Sequence, residues 1–250
     1  MSIEAAEANY FEAWRLLAAN VATGIVEEDD EILFAAGGGP VAYFNSAFVK
    51  PPARPSTCAR RAAAFFRDRH LPFVIRFRDE GDPAAAEACE AIGLVGAGES
   101  PIMNADVDAM PSLGPGFDVR VVDAGNYDEH VETMATGFGL PAGILRSFFT
   151  VDLFGRGPFE AFTAYDPATG QPASTAALIL SDGVAGIYNV ATPEPFRRRG
   201  FGEATTRAAV DAGRRHGCSL ATLQASEMGD PIYERMGFRT VARWLTYAGE

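Results

Sequence analysis

The sequence predicts an α/β (α+β) fold built from two halves of similar order, and three observations carry that expectation. Helical periodicity and strand-like runs alternate along the chain. A Ser-Asp-Gly turn signal at 181–183 joins two strand-like runs into an antiparallel pair, and both halves end in the order strand, helix, strand, helix, strand. With 250 residues, 48% of them hydrophobic and 18 of them Phe, the chain suffices for one large domain or two of about 120 residues with real cores.

A helix fits residues 3–20, where Tyr10, Phe11, Trp14, Leu17 and Ala18 fall on one side. The runs GIVEE, EILFAA and, after the GGGP break at 37–40, VAYFNSAFV read as a β meander. Next come a helix (STCARRAAAFFRDRH), a strand (PFVIRFR), a helix (DPAAAEACEAIG, 82–93) and a strand (VGAGESPIMNADV). Residues 106–116 mix Pro, Gly and Asp without periodicity and read as a linker, dividing the chain into 1–105 and 117–250. The second half opens on strand FDVRVVD, continues with helices near 127–137 and 141–153, and then strands near 158–165, 173–181 and 184–191. It closes with a helix over 201–216, a strand over 219–225, a short helix over 229–236 and a strand over 238–248.

A formal net charge of −12 argues against a nucleic-acid binder, because phosphate backbones select broad basic surfaces. The first residues carry acids where a targeting peptide would carry Lys or Arg, and no long apolar run follows, so the reading is cytoplasmic with no membrane partner. Cys58, Cys89 and Cys218 lie far apart with no ligand spacing, and the three histidines are equally scattered; no metal is expected.

The densest positive charge of this acidic chain, Arg197-Arg198-Arg199, runs directly into Gly200-Phe201-Gly202 at the start of a helix. A helix N-terminus offers unpaired N–H groups and partial positive charge, glycines let an anion approach the backbone, and arginines can pair with phosphate oxygens. The corner therefore suits a pyrophosphate. It is not GxxxxGK[ST], and it lacks the third glycine of the dinucleotide fingerprint. The matching junction in the first half, FVKPPARPSTCARRA, has prolines and no glycine and cannot cradle a phosphate in the same way.

The corner resembles the Arg/Gln-x-x-Gly-x-Gly/Ala signature of the GNAT N-acetyltransferase superfamily, and LQASEMGDPIYERMGF at 223–238 is similar to that family's strand end, short helix and Tyr-Glu-x-x-Gly-Phe ending. The resemblance covers residues 117–250 and implies a mixed, mostly antiparallel central sheet flanked by helices. With the first half taken as a degenerate copy lacking the loop, it implies a tandem pair; an unrelated N-terminal extension is the competing reading. It further implies acetyl-CoA as acyl donor, with the pyrophosphate held by Arg197, Arg198, Arg199, Gly200, Phe201 and Gly202. The pantetheine arm would lie against Val190, Ala191 and Thr192, with Ser226 reaching it from the next strand.

On that reading the reaction moves an acetyl group directly to a primary amine of a small molecule, peptide or protein. A backbone N–H near Val190 or Ala191 would stabilise the oxyanion, and Tyr233, in the family's general-acid position, would protonate the leaving thiolate, though core packing also accounts for a tyrosine there. The strand AGIYNVAT lacks the acid some members place there, so the base is open between Glu160 acting through water, a water ordered by Asn189, and a chain of waters. Phe138, Leu140 and Pro141 would line the acceptor site or merely pack their loop. The alternative function is a catalytically silent acyl-CoA-binding regulatory module. Either a monomer or a homodimer fits.

Overall fold

The computed structural model describes residues 2–79, 83–155 and 157–250. Its elements are α1 (Ile3–Ala19), β1 (Ile25–Glu28), β2 (Ile32–Ala36), β3 (Asn45–Val49), α2 (Pro55–Arg67), β4 (Phe73–Arg78), α3 (Ala84–Glu90), β5 (Val95–Asp106) and β6 (Asp118–Val121). There follow α4 (Tyr127–Phe138), α5 (Ala142–Phe148), β7 (Phe159–Tyr165), β8 (Pro172–Ser181), β9 (Val184–Ala191), α6 (Phe201–Arg215), β10 (Leu220–Gln224), α7 (Asp230–Met236) and β11 (Arg239–Gly249). The fold is α/β, as the pattern predicts, with the mixed, mostly antiparallel sheet that the family resemblance implies. The helix expected over 82–93 is seen as α3, and its first residue, Asp82, lies outside the described residues. The segment expected as one helix over 141–153 divides into α5 and a 3₁₀ turn at Val151–Leu153.

The chain forms two compact units, Met1–Ala13 with Met103–Arg239, and Trp14–Ile102 with Thr240–Glu250. The division into 1–105, 106–116 and 117–250 follows sequence order, whereas the units interleave it. The physical reason is pairing: β11 runs antiparallel to β4, from Trp244 opposite Arg78 to Gly249 opposite Phe73.

In the first unit the strand order is β5-β10-β9-β8-β7-β6, with β6 to β9 antiparallel in sequence and β9 parallel to β10. Side chains alternate between the sheet faces. Phe162, Leu178 and Ile187 pack into one cluster with Ala208, Ala209 and Ala212 of α6. On the other face Thr163 Oγ1 meets Nδ1 of His130 from α4 at 2.9 Å. Burial presses His130 down to about 3, so it is a neutral core histidine.

The amino-terminal turns of α1 dock on β8 and β9 through one buried amide. Asn9 Nδ2 donates to the Ile179 carbonyl at 3.0 Å and to Ser181 Oγ at 2.7 Å, while Asn9 Oδ1 accepts the Tyr188 hydroxyl at 2.6 Å. Gly186 makes room for this: a Cβ there would lie 1.8 Å from Asn9 Oδ1 and 2.7 Å from the Tyr188 hydroxyl.

The second unit has the order β1-β2-β3-β4-β11-β5, with β3 parallel to β4. Its core gathers Phe66 and Phe73, stacked at 5.0 Å, with Ile32, Ile75 and the buried thiols of Cys58 and Cys89. Each such large side chain contributes about 1.5–3 kcal/mol by leaving water.

A methyl group at Gly186 must expel Asn9 from its socket. Gly186→Ala is expected to destabilise the fold by about 1–3 kcal/mol, the ordinary range for overpacking, and more than Asn9→Ala combined with it; denaturant unfolding of the three proteins checks this.

Candidate functional site

The site begins where a ladder stops. Strands β9 and β10 pair only at Val184 with Leu220, Ala185 with Ala221 and Gly186 with Thr222, although β9 continues to Ala191 and β10 to Gln224. Beyond Gly186 the backbone groups of β9 on the β10 side have no strand partner among the described residues. A bulge reinforces the parting: the β8–β9 register passes from Ala177 opposite Tyr188 to Thr175 opposite Ala191, and Asn189 sits at φ 54°. Asn tolerates this left-handed backbone better than most residues. The Asn189 carbonyl accepts Thr175 Oγ1 at 3.0 Å and the Ala191 carbonyl accepts Ser174 Oγ at 3.1 Å, so those two carbonyls are satisfied on the β8 side. Two buried side-chain donors, Asn189 Nδ2 and Gln224 Nε2, have no hydrogen-bond acceptor among the described residues. They stand on the two strands that have parted.

At the end of β9 the chain passes through Thr192 and a 3₁₀ turn at Glu194–Phe196 into the arginine corner. The three arginines have different surroundings. Arg197 Nε donates to the Thr192 carbonyl at 3.0 Å and its own amide to the Glu194 carbonyl at 3.1 Å. Arg199 Nη2 binds Asp166 Oδ1 at 2.8 Å, with its guanidinium 5.1 Å from the Phe201 ring centre. Arg198 is exposed and holds φ 60°, a left-handed conformation that is strained for a side-chain-bearing residue.

Gly200 caps α6 at φ 85°, which only glycine adopts freely, and a Cβ there would lie 3.0 Å from the Phe117 ring. No side chain caps this helix. The first-turn amides of Phe201, Gly202 and Glu203 therefore lack intrahelical acceptors and face outward with the positive end of the helix dipole. Gly202 lies against the end of β9, since a Cβ on it would sit 3.2 Å from Thr192 Oγ1.

Tyr233, on α7, is buried beside Phe238 with ring centres 5.9 Å apart. Burial pushes its hydroxyl up to about 12, opposed in part by a hydrogen bond with Thr206. Thr206 itself donates to the Gly202 carbonyl at 2.8 Å, which links Tyr233 to the first turn of α6. Ser226 is exposed just past β10, and its carbonyl accepts the amides of Gly229 and Asp230, both at 2.9 Å, to start α7.

The α4–α5 junction also reaches this place. A Cβ on Gly137 would lie 2.8 Å from Ala191 Cβ and 3.1 Å from the Thr192 amide nitrogen, so α4 ends directly against the end of β9. From there Phe138 is 45% exposed, Leu140 is half-buried and Pro141 is exposed.

Glu160 stands in register with Leu178 and Ile187, level with the start of the opening, on the face that packs on α6. Its carboxylate meets His216 Nε2 at 2.6 Å, at the far end of α6 from the arginine corner. That helix of 15 residues spans roughly 22 Å at 1.5 Å per residue. Glu160 also stands one position from Ala161 and three from Thr163, so it faces α6 while Thr163 faces α4. Cys218 is buried and its thiol is raised by burial, which suppresses the thiolate. Among the described residues no group of three or more His, Cys, Asp and Glu could hold a metal, and no helix is long and apolar enough to cross a membrane. Sequence reasoning missed Asp166, Thr206 and Gln224; the DPATG run at 166–170 signals a turn but not what its first residue holds.

Residues 141–238 match the model of the acetyltransferase (GNAT) family. The chain is similar in fold to a GCN5-related N-acetyltransferase from Kribbella flavida, with TM-score 0.74 and 19% identity over 99% of this chain and 96% of that one. It is similar to a GCN5-related N-acetyltransferase from Sphaerobacter thermophilus, with TM-score 0.67 and 16% identity over 91% and 83%. A tandem GNAT protein from the clavulanic acid biosynthesis pathway matches with TM-score 0.59 and 15% identity over 100% and 96%. No curated protein matches the sequence.

The raised Tyr233 hydroxyl carries a pH signature. Since the unfolded phenol ionises near its ordinary value of 10 and the folded one at about 12, its contribution to stability is intact below pH 10 and is lost as pH rises toward 12. Tyr233→Phe is expected to make that limb of the stability curve less steep, the other raised tyrosines keeping the rest of the slope, measured by thermal unfolding across pH 9–12.

Proposed function

We propose that the chain, which carries a GNAT acetyltransferase domain at residues 141–238, is an acetyl-CoA-dependent N-acetyltransferase that moves the acetyl group directly to a primary amine of a small molecule, peptide or protein. The observation that carries the reading is the coincidence of an opened parallel pair, β9 and β10, with an uncapped glycine-started helix at its mouth. The residues present suit the donor. The backbone of β9 beyond Gly186, released from β10, matches a chain that offers amide groups, and the free amides of the Gly200–Gly202 turn match a pyrophosphate.

In this reading Val190, Ala191 and Thr192 hold the pantetheine arm through the backbone of β9, Ser226 meets it from the β10 side, and Arg197 to Gly202 hold the pyrophosphate. A β9 amide near Val190 or Ala191 stabilises the oxyanion, and placing amine and thioester side by side supplies most of the rate. Tyr233 donates a proton or hydrogen bond to the leaving thiolate. Asn189 positions water for the amine, and Glu160 is set aside as base because its carboxylate is paired with His216 on the α6 face of the sheet. Phe138, Leu140 and Pro141 flank the acceptor side through the Gly137 contact with β9.

The second unit is read as a degenerate GNAT-like copy. It repeats the parallel strand, helix, parallel strand order as β3, α2 and β4, but β3 stays paired with β4 out to its last residue, Val49, opposite Phe77. Its corner contains Pro51 and Pro52, and Lys50 there is bound to Glu28 at 2.6 Å. Its strands do not part, and the chain enters the helix through proline rather than glycine.

Incubating the protein with acetyl-CoA and a panel of amines, read by release of free thiol, tests the reading. Turnover with at least one amine, lowered about 10²-fold in Tyr233→Phe with donor binding retained, is the expected outcome for loss of a proton donor. Tight acetyl-CoA binding with no thiol release across a broad panel would instead establish the silent binding module.

A further inference from the structure

The arginine corner is held from behind by an acid that lies outside both sequence motifs. Asp166 opens the turn between β7 and β8, and its side chain is only 3% exposed. Around it the turn is closed by its own hydrogen bonds: the Asp166 carbonyl accepts the Gly170 amide at 2.7 Å, and Oδ1 accepts the Ala168 amide at 3.2 Å. Thr169 Oγ1 donates to Oδ2 at 3.2 Å. The remaining strong contact leaves the turn, from Arg199 Nη2 to Oδ1 at 2.8 Å. Burial alone would raise the pKa of this carboxyl, yet the Ala168 amide, the Arg199 guanidinium and the Thr169 hydroxyl outweigh it and hold the group below its ordinary value, so it is ionised at neutral pH.

Arg199 is thereby fixed at both ends. Its guanidinium lies between Asp166 and the faces of Phe196 and Phe201, at 5.7 Å and 5.1 Å from the ring centres, and its backbone leads directly into Gly200 at φ 85°. Phe201, the first residue of α6, is buried with Ala164 of β7 and Ala173 of β8, the strands that carry the Asp166 turn. Arg197 is tied back to Thr192. Arg198 alone of the three makes no hydrogen bond or ion pair among the described residues, and it projects from a left-handed backbone.

We propose that Asp166 is a positioning residue for the donor's pyrophosphate: through Arg199 it sets the Arg199–Gly202 amides, while Arg198 is the one arginine of the triplet left to contact phosphate by its side chain. The inference rests on the donor-site reading given above. Two effects of Asp166 compete. Its negative charge offsets that of Arg199 and so weakens attraction for an anion, but it also keeps the loop amides aligned. The first acts across solvent on an anion at the rim and is screened over about 8 Å at physiological salt, whereas the second is a charge-assisted bond that Arg199 donates to a buried carboxylate. Alignment of the amides therefore outweighs the attraction lost.

The test compares Asp166→Asn and Arg198→Ala with the unaltered protein, using acetyl-CoA and S-acetyl-pantetheine, which has the same thioester arm without the pyrophosphate. Asp166→Asn is expected to raise both the Kd and the KM for acetyl-CoA about tenfold, with kcat within twofold and the KM for S-acetyl-pantetheine unchanged. Arg198→Ala is expected to weaken acetyl-CoA in the same selective way and to flatten the salt dependence of its binding. In Asp166→Asn with Arg199→Met, the acetyl-CoA Kd should be no weaker than in the poorer single variant, because both remove one contact.

Asp166→Asn binding acetyl-CoA as well as or better than the unaltered protein overturns the inference and leaves the donor site standing. An equal loss for both donors also overturns it, since that marks general structural damage. An unaltered protein that binds no acetyl-CoA overturns the donor-site reading and this inference together. If Asp166→Asn does not fold, Arg199→Lys substitutes for it: retention of the Asp166 contact predicts near-normal acetyl-CoA binding, and Arg199→Met predicts the selective loss.

Discussion

Everything at the site depends on where the β9–β10 ladder ends. Parallel strands normally continue their hydrogen bonds along their common length, and a buried backbone group left unpaired costs about 1–3 kcal/mol. Here pairing stops at Gly186 and Thr222 while both strands run on. The fold limits the cost by turning carbonyls the other way: the bulge at Asn189 delivers two of them to the hydroxyls of Thr175 and Ser174 on β8. Among the described residues two buried side-chain amides on these strands, those of Asn189 and Gln224, stay without a hydrogen-bond partner. An opening of this kind is stable in water and becomes more so with a ligand that carries its own amides.

The second unit shows the same chain order without that ending. Its parallel pair, β3 and β4, remains hydrogen-bonded to Val49. The helix that follows starts on Pro55 behind Arg54, and two of the cations nearby are paired within the unit, Lys50 with Glu28 and Arg61 with Asp29 and Glu31. Two changes therefore separate the copies as proposed: whether the strands part, and whether the chain enters the helix through glycine or through proline. Both must favour an anion before topology becomes a site.

The local features were legible in the sequence because local rules decide them. The Ser-Asp-Gly turn, the strands on either side of it and the glycine start of α6 follow from turn chemistry and periodicity, and the structure has Gly183 and Gly200 in the positive φ their roles require. The pairings that cross long stretches of chain were not legible. That β11 joins β4 depends on register between segments far apart in sequence. That Arg199 belongs to Asp166, and Glu160 to His216, depends on which face of a strand meets which end of α6. Counting arginines gave a charged corner; only the fold distinguishes the two that hold the loop from the one that projects.

The same physics bears on how Tyr233 could act in the proposed reaction. A free thiol ionises near 8.5, and a phenol at about 12 would be a poor donor to its thiolate in water, because the transfer runs uphill by several units. Burial changes both partners. In this chain the buried thiols of Cys58 and Cys89 are pushed to about 11 and about 12 by desolvation. A thiolate expelled into a gap of comparable burial would be raised in the same direction, toward the value of the tyrosine beside it. The burial that makes Tyr233 a weak acid in isolation thus raises its acceptor in the same direction, and the closer the two come the less the proton transfer costs.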